Sequence, residues 1–210
     1  MRHDSERLRD AMSQEKVLWN VIIPVRSPST GKTRLSLGAA MNAALATDTV
    51  NAVAATDCVT KVLVVTDDAS WCEDVAATIV LQRRTGLNGA IRDALEVAGG
   101  YPCAVVPGDM PALRATDLNS VLTLPVPKFF VSDRAGTGTV LLASRLAPLT
   151  PLFGVGSASR HAAAGFEQVL VQQSSSLQCD VDTLADLAAA VRFGVGSATS
   201  TVLRDQGVAA

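Results

Sequence analysis

The chain has 210 residues, of which 48% are hydrophobic, 18% charged and 4% aromatic. This length and composition are typical of one globular domain or a tight pair of domains, and they exclude a disordered chain, a collagen and a disulfide-rich miniprotein. The 18 Lys and Arg residues nearly balance the 20 Asp and Glu residues, giving a net charge of −2. A nucleic-acid-binding surface is therefore not indicated.

The sequence shows neither the pattern of a signal peptide or membrane span nor a cysteine spacing typical of redox or metal sites. Residues 1–16 alternate between charges and lack the apolar core of a signal peptide, so we expect a flexible N-terminal extension before one domain at 17–210. No stretch is apolar enough to span a membrane. The cysteines have no metal or redox spacing and are interpreted as buried core residues of a reducing compartment: Cys58, Cys72, Cys103 and Cys179. We therefore expect a soluble, cytoplasmic protein.

Short apolar runs alternate with helical patterns along the chain. The runs predict strands at 17–25, 62–66, 79–81, 103–106, 129–131 and 140–143. Helices are predicted after a Ser36 cap, with Met41, Leu45, Asp48 and Ala52 on one face, and at 88–97, 115–122 and 183–191. This order predicts an α/β fold with a mostly parallel sheet. Ligands of such sheets bind beyond the carboxyl ends of the strands, so the loops there are the candidate sites.

The loop after the first strand reads RSPSTGKTRL. A P-loop is excluded, because Arg26 stands where G-x-x-x-x-G-K-[ST] requires glycine. Small residues ending in Lys32, Thr33 and Arg34 still offer backbone N–H groups and two cations to a triphosphate. A solvated basic loop is the alternative interpretation.

Acidic residues follow two later strands. Asp109 stands in a Gly-Asp-Met-Pro turn, and Asp180 and Asp182 would face the same side of an extended segment. Three carboxylates in one cleft would repel one another unless a divalent cation joined them, and Mg²⁺ prefers carboxylate, phosphate and water oxygens. The alternative is that Asp182 or Thr183 only caps the last helix.

Three further segments offer polar groups. Asn88 either caps a helix or reads a nucleobase edge. The turn at 132–139 is either a donor-rich ligand loop with Arg134 or a simple β-hairpin turn. The segment at 153–161 provides a second place for an anion, with His161 at the surface or near a phosphate. Its FGVGSAS recurs as FGVGSAT at 193–199, which we interpret as one helix start used twice, with the serine able to cap the helix.

Five segments of the chain resemble, in this order, those of the CofC/FbiD family: PVRSPSTGKTRL, PGDMPAL, SDRAGTGTVLL, FGVGSASRH and CDVDTLADL. These guanylyltransferases activate a phosphorylated three-carbon acid in the biosynthesis of coenzyme F-420. The resemblance covers nearly the whole chain after its N-terminal extension. It implies a single-domain nucleotidyltransferase fold of the glycosyltransferase-A type, a Rossmann-like three-layer sandwich.

The resemblance also implies roles for individual residues. Those matching the Mg²⁺ ligands are Asp109, Asp180 and Asp182. Those matching the nucleotide site are Pro24, Lys32, Arg34, Asn88 and Gly108. Those assigned to the phosphorylated acid are Thr139, Gly154 and Ser157, with Arg134 and Arg160. Catalysis is assigned to Lys32, Arg34 and Asp109.

The expected reaction transfers GMP from GTP to the phosphate of phosphoenolpyruvate, giving enolpyruvyl-diphospho-guanosine and pyrophosphate. The acceptor phosphate is already anionic, so no general base is required, which fits a chain with only two histidines. The alternatives are the same reaction on 2-phospho-L-lactate or 3-phosphoglycerate, or a non-catalytic nucleotide-binding regulator. The expected partners are the two substrates and Mg²⁺, with hand-off to the next pathway enzyme as an option and without nucleic acid or membrane.

Overall fold

The computed structural model describes residues 17–27, 38–72, 75–146 and 148–207. The strands are β1 (Trp19–Pro24), β2 (Val59–Thr66), β3 (Thr78–Leu81), β4 (Cys103–Val105), β5 (Lys128–Ser132), β6 (Thr139–Ser144) and β7 (Glu167–Gln168). The helices are α1 (Gly38–Ala54), α2 (Leu87–Ala98), α3 (Ala115–Leu122), α4 (Ser157–Ala163), α5 (Leu184–Phe193) and α6 (Ser197–Asp205), with a 3₁₀ turn at Ser176–Gln178. The predicted extension at 1–16 and the predicted roles of Lys32, Arg34 and Ser36 fall outside the described residues.

The strands form one seven-stranded sheet in the order β3-β2-β1-β4-β6-β5-β7. β1 pairs in parallel with both β2 and β4, and only β6 runs antiparallel to its neighbours β4 and β5. The predicted α/β fold with a mostly parallel sheet is confirmed. β2 and β4 lie on opposite sides of β1, so the direction of strand addition reverses there. A topological switch point therefore lies between β1 and β4, where ligands of open α/β sheets bind.

Helices cover both faces of the sheet, which explains the continuous apolar strands. Val21 and Ile23 of β1 pack in one core cluster with residues of α1 and α3. Ile22 points to the other face and packs in a second cluster with residues of α2 and α4. All three β1 side chains are fully buried, as expected for a strand between two helical layers. The three-layer arrangement that the resemblance implied is present.

The structure confirms some of the local predictions for the FGVGSA segments, the turn after β5 and the strands, and it corrects others. Both FGVGSA segments precede helices, α4 and α6, as predicted. The serine caps neither helix, because Gly156 and Gly196 occupy the N-cap positions. The turn after β5 is a β-hairpin turn, since β5 and β6 pair antiparallel. β7 was not predicted, because its two residues are exposed and lack an apolar pattern.

The cysteines are buried, as predicted, and form no disulfide bond with one another: Cys58, Cys72, Cys103 and Cys179. In the described part of the chain, none of the helices combines the length and apolar character needed to cross a membrane.

Candidate active site

The carboxyl ends of the first three strands and the start of α2 enclose a cavity of about 370 Å³. Its size falls in the range of roughly 300–1,000 Å³ that is usual for small-molecule sites. Pro24, which the resemblance assigned to the nucleotide, contributes to its wall. The polar residues of the wall are Arg26, Asp67, Gln82 and Thr85. The cavity thus lies where the fold places a ligand, beside the switch point.

The loop at 82–86 forms one wall of this cavity and is held by the buried carboxylate of Asp93 on α2. This carboxylate accepts hydrogen bonds from the backbone amides of Arg83, at 2.6 Å, and Arg84, at 2.8 Å. The guanidinium groups of both arginines also bind Asp93 and Glu96. Both cations are therefore engaged in holding the loop.

Replacing Asp93 with Asn is expected to destabilise the fold by about 2 kcal/mol, because it removes a buried charge that binds Arg84 and two backbone amides. It should also raise several-fold the KM for the nucleotide expected in this cavity, since the cavity wall loses its anchor. Urea denaturation and steady-state kinetics measure the two effects. Glu96→Gln is the matched control: it removes an exposed charge from the same arginines and should change both quantities much less. Equal effects of the two variants would contradict this role of Asp93.

Gly108 lies on the other side of the switch point, against the end of β1. A Cβ at this position would lie 2.6 Å from Cγ2 of Val25 and 3.3 Å from the carbonyl oxygen of Pro24. Glycine is therefore required for the loop after β4 to pack this closely against β1. The binding role that the resemblance gives to Gly108 stays a prediction.

The Asp109 loop is joined directly to the late acidic segment. The carbonyl oxygen of Asp109 accepts a hydrogen bond of 2.9 Å from the backbone amide of Val181. Val181 is buried, Asp180 is half-buried and Asp182 is exposed. The structure therefore brings together the two segments that carry the three predicted metal-binding aspartates, although 70 residues of sequence separate them.

These carboxylates repel one another strongly. Burial, and then the charges of Asp180 and Asp182, raise the pKa of Asp109 to about 7. Burial likewise raises the pKa of Asp180, and the charge of Asp182 adds to the effect. Oδ1 of Asp109 is buried and has no hydrogen-bond partner among the described residues. An unused buried acceptor among uncompensated negative charges fits a bound cation.

The aspartates are close neighbours without forming a ready-made cage. Among residues 17–27, 38–72, 75–146 and 148–207, no three His, Cys, Asp or Glu side chains are grouped tightly enough to hold a metal ion. Mg²⁺ is often held by only one or two carboxylates, with substrate phosphates and water as the other ligands. The donor set fits Mg²⁺ in that form, and the ligand set Asp109, Asp180 and Asp182 stays a prediction.

Thr183, and not Asp182, caps α5. Its hydroxyl accepts a hydrogen bond from the backbone amide of Asp186, and the Asp186 carboxylate accepts one from the amide of Thr183. Of the two residues in the helix-cap alternative, Thr183 is therefore confirmed as the cap and Asp182 is not. Because the cap uses Thr183 and Asp186, the carboxylate of Asp182 is not occupied by it.

A second polar site forms at the same edge of the sheet. Thr139 is the first residue of β6, and it lies at the Asp109 edge because β6 runs antiparallel to β4. The hydroxyl of Ser157 donates a hydrogen bond of 3.0 Å to Oγ1 of Thr139, and the amide of Ser157 donates one of 3.0 Å to the carbonyl oxygen of Gly154. The three residues assigned to the phosphorylated acid are therefore neighbours, and their binding role stays a prediction.

Two arginines of this site have exposed side chains. The guanidinium of Arg160 lies beside Gly154, where an added Cβ would be 3.2 Å from Nη2. Arg134 reaches across to the acidic segment, with Nη2 3.8 Å from Sγ of Cys179. Within the described part of the chain, neither arginine forms an ion pair with a carboxylate. Both are placed to attract an anionic ligand, in keeping with the roles that the resemblance gave them.

Two expectations about this region need correction. His161 is fully buried, so the surface position that we considered for it is wrong. Asn88 is not the cap of α2, because Gly86 occupies that position. Its amide oxygen accepts from the backbone amide of Phe153 at 2.8 Å, and its nitrogen donates to the Phe153 carbonyl at 3.1 Å. The Asn88 side chain therefore joins the two halves of the site. One amide N–H and one lone pair remain for a ligand, and the nucleotide-binding role of Asn88 stays a prediction.

The sequence analysis missed several residues of the site. Arg26 was considered only as a misfit to the P-loop pattern, and Asp67, Gln82 and Thr85 were not considered at all. They could have been found from their positions in the sequence, since each follows a parallel strand at its carboxyl end. The anchoring role of Asp93 had no such signal, because this aspartate lies within a helix.

The fold has known relatives among solved structures. The structure is similar to a nucleotidyl transferase from Methanothermobacter thermautotroptrophicus, with a TM-score of 0.60, 16% sequence identity, and coverage of 84% of this chain and 97% of that chain. At this identity the likeness shows the fold alone, and that fold is the nucleotidyltransferase fold.

Sequence comparison gives a closer assignment. The family model for guanylyl transferases like CofC matches residues 19–210. A phosphoenolpyruvate guanylyltransferase of Salinispora arenicola is 41% identical over 199 residues, covering 87% of this chain and 92% of the relative. One of Geodermatophilus obscurus is 38% identical over 202 residues, covering 88% of this chain and 94% of the relative. The chain therefore belongs to the CofC guanylyltransferase family and is a nucleotidyltransferase.

Proposed function

We propose that this protein transfers GMP from GTP to the phosphate of phosphoenolpyruvate, releasing pyrophosphate, as a step in the biosynthesis of coenzyme F-420. Relatives with this named activity at 41% and 38% identity support the proposal. The observation that carries it is Asp109. This aspartate has an unpartnered buried oxygen and lies between the cavity beside β1 and the polar site around Thr139.

The two sites suit two different ligands. The cavity of about 370 Å³ has a partly polar wall that suits a nucleoside, and Arg26 supplies a positive charge there beside the negative charge of Asp67. The site around Thr139 and Ser157 is flanked by Arg134 and Arg160, which suits a compact anion. GTP in the first and phosphoenolpyruvate in the second would meet at the Asp109 edge of the sheet.

The bond changes are simple. An oxygen of the acceptor phosphate attacks the α-phosphorus of GTP, and the bond between that phosphorus and the oxygen bridging to the β-phosphorus breaks. Pyrophosphate leaves, and no proton has to be removed from the acceptor. The protein accelerates this step by aligning the two phosphates and by stabilising charge. His161 is buried and takes no part as a base.

Asp109, Asp180 and Asp182 are the residues that would hold Mg²⁺. When bound, the ion supplies charge stabilisation at the phosphate oxygens and orients the triphosphate. Lys32 and Arg34, assigned from the resemblance, would neutralise the phosphates that leave. Arg134 and Arg160 would bind the acceptor. The buried cysteines, which form no disulfide bond with one another, accord with the reducing, cytoplasmic location that we also propose.

The test is pyrophosphate release from GTP and Mg²⁺ with one acid at a time. Phosphoenolpyruvate is expected to give the highest kcat/KM, compared with 2-phospho-L-lactate and 3-phosphoglycerate. A preference for either of the other acids would overturn the acceptor assignment and keep the guanylyltransferase activity. GTP binding without pyrophosphate release with any acid would overturn the activity and favour a regulator.

A further inference from the structure

The reaction proposed above gives no role to His161, although the structure builds an elaborate environment for it. The side chain has no exposed surface. Its ring packs among three aromatic rings, with centroid distances of 6.1 Å to Phe130, 5.2 Å to Phe153 and 5.8 Å to Phe166. Both ring nitrogens have a hydrogen-bond partner, as a buried imidazole requires, and one of these partners is Thr139 of the proposed acceptor site.

The two hydrogen bonds fix the tautomer of the ring. Nε2 of His161 lies 3.0 Å from the backbone nitrogen of Leu152, which can only donate. Nε2 must therefore be the unprotonated acceptor, and the neutral ring carries its hydrogen on Nδ1. Nδ1 lies 2.9 Å from Oγ1 of Thr139, so it donates to that hydroxyl oxygen.

This arrangement constrains Thr139 in turn. Its Oγ1 accepts one hydrogen bond from Nδ1 of His161 and a second, at 3.0 Å, from the hydroxyl of Ser157. A hydroxyl has two acceptor lone pairs and one hydrogen, so both lone pairs are used. The remaining hydrogen has no acceptor among the described residues. Thr139 is thereby set as a hydrogen-bond donor toward a ligand.

We propose that His161 is a positioning residue, whose Nδ1–H occupies one lone pair of the Thr139 hydroxyl and so directs the hydrogen of that hydroxyl to the anionic acceptor. The proposal rests on the proposed function, because it is the phosphorylated acid that receives this hydrogen bond. An anion accepts hydrogen bonds and donates none, so a hydroxyl fixed as a donor favours it over a neutral ligand. His161 itself never touches the acceptor.

The electrostatic surroundings keep the ring neutral. Burial, and then the charge of Arg160 on the same helix, lower the pKa of His161 to about 4. The nearby elements also carry Lys128 of β5, whose Nζ lies 4.5 Å from the centroid of the Phe166 ring, and the exposed Glu167 of β7. Arg160 is the charged neighbour that opposes protonation of the ring. The donor arrangement is therefore maintained throughout the neutral pH range.

Amide substitutions separate this role from simple packing. His161→Asn can keep a donor near the Nδ1 position, whereas His161→Gln places its amide near Nε2 and loses the bond to Thr139. In His161→Gln the KM for phosphoenolpyruvate is expected to rise about tenfold or more, with the KM for GTP nearly unchanged. His161→Asn should recover most of that loss. Equal loss in both variants, or a parallel rise in both KM values, would overturn the proposal.

A double variant tests whether the effect acts through the threonine. Thr139→Val removes the hydroxyl, so adding His161→Gln to it should raise the KM for phosphoenolpyruvate no further. Effects that multiply would overturn the proposal, because His161 would then act independently of Thr139.

Nitrogen NMR gives a readout that does not depend on activity. The chain has only two histidines, and the signals of His161 are those missing from His161→Phe. Nδ1 is expected to be protonated and Nε2 unprotonated from pH 8 down to about pH 5. An Nε2-protonated ring or an imidazolium at neutral pH would overturn the proposal even if the enzyme is fully active. If the tautomer is as expected but phosphoenolpyruvate supports no turnover in the unaltered protein, it is the proposed function that fails.

Discussion

Replacing Asp109 with Asn is expected to lower kcat/KM by about 100-fold or more, because it removes the carboxylate at the centre of the proposed magnesium site while keeping its shape. Pyrophosphate release from GTP and phosphoenolpyruvate measures the effect. Asp57→Asn, at an exposed turn outside the site, is the control and should leave turnover unchanged. Turnover of Asp109→Asn close to that of the unaltered protein would contradict the assignment.

The same substitution should stabilise the metal-free protein. The pKa of Asp109 is raised to about 7 in the folded state, from its ordinary value of 3.8. The folded state therefore binds more protons than the unfolded state between these values, and the free energy of unfolding falls as pH rises through this window. At pH 8 with a chelator, Asp109→Asn should be more stable by up to about 4 kcal/mol. The advantage should vanish below about pH 4.

Urea denaturation at several pH values measures this difference. If the variant is less stable than the unaltered protein at pH 8, the Asp109 carboxylate stabilises the fold. The prediction that its charge lowers the free energy of unfolding would then be wrong. Activity that is lost together with stability would point to the same conclusion.

Replacing Gly196 with Ala is expected to give the largest loss of stability, about 2–4 kcal/mol. A Cβ at this position would lie 2.3 Å from both Cγ and Oδ1 of Asp48 on α1. The buried Asp48 carboxylate cannot move freely, since it accepts hydrogen bonds of 3.0 Å and 2.8 Å from the backbone amides of Ala198 and Thr199 at the start of α6. The added methyl group therefore forces apart two helices.

Thermal and urea denaturation measure this loss, with Gly100→Ala as the matched control. Gly100 is exposed, and a Cβ there would meet no atom within 4 Å, so its substitution should change stability by less than about 0.5 kcal/mol. The double variant Gly196→Ala/Asp48→Ala should be more stable than the sum of the single losses predicts, because the second change removes the atoms that clash. Strict additivity would contradict the steric explanation.

Turnover should fall in Gly196→Ala as well. The amide of Gly196 donates a hydrogen bond of 3.0 Å to the carbonyl oxygen of Pro111, two residues after Asp109. On the other side of this loop, the amide of Met110 donates one of 3.0 Å to Oγ1 of Thr49. The loop that carries Asp109 is therefore held between α1 and the start of α6, and displacing α6 displaces it.

The sheet and most helices could be predicted because their signals are local. Continuous apolar runs such as residues 103–106 form strands wherever both faces of a sheet are covered, and Asp48 stands on the buried face of α1 as its spacing with Met41 and Leu45 predicted. The strand order and β7 could not be predicted, because neither is marked by local periodicity. Asp109 was recognisable because residues that follow strands gather at one edge of a parallel sheet. The expectation that Asp180 and Asp182 also follow a strand was wrong, since they follow the 3₁₀ turn at Ser176–Gln178.

What the sequence could not show are contacts between distant segments. Asn88 and Phe153 are 65 residues apart, and the sequence does not show the two hydrogen bonds by which the Asn88 amide joins them. His161 was expected at the surface or near a phosphate, because the sequence does not show that Phe153 and Phe166 fold over its ring together with the distant Phe130. The Asp48 carboxylate binds the start of α6, 151 residues away in sequence. The second copy of the FGVGSA segment therefore helps to hold α6 against α1.

The central claim is that the acceptor phosphate attacks the α-phosphorus of GTP, and labelling the phosphate of phosphoenolpyruvate with heavy oxygen tests it most directly. Mass spectrometry of the products should show all of the label in enolpyruvyl-diphospho-guanosine and none in pyrophosphate. Label in the released pyrophosphate, or a labelled product without the guanosine, would contradict the account.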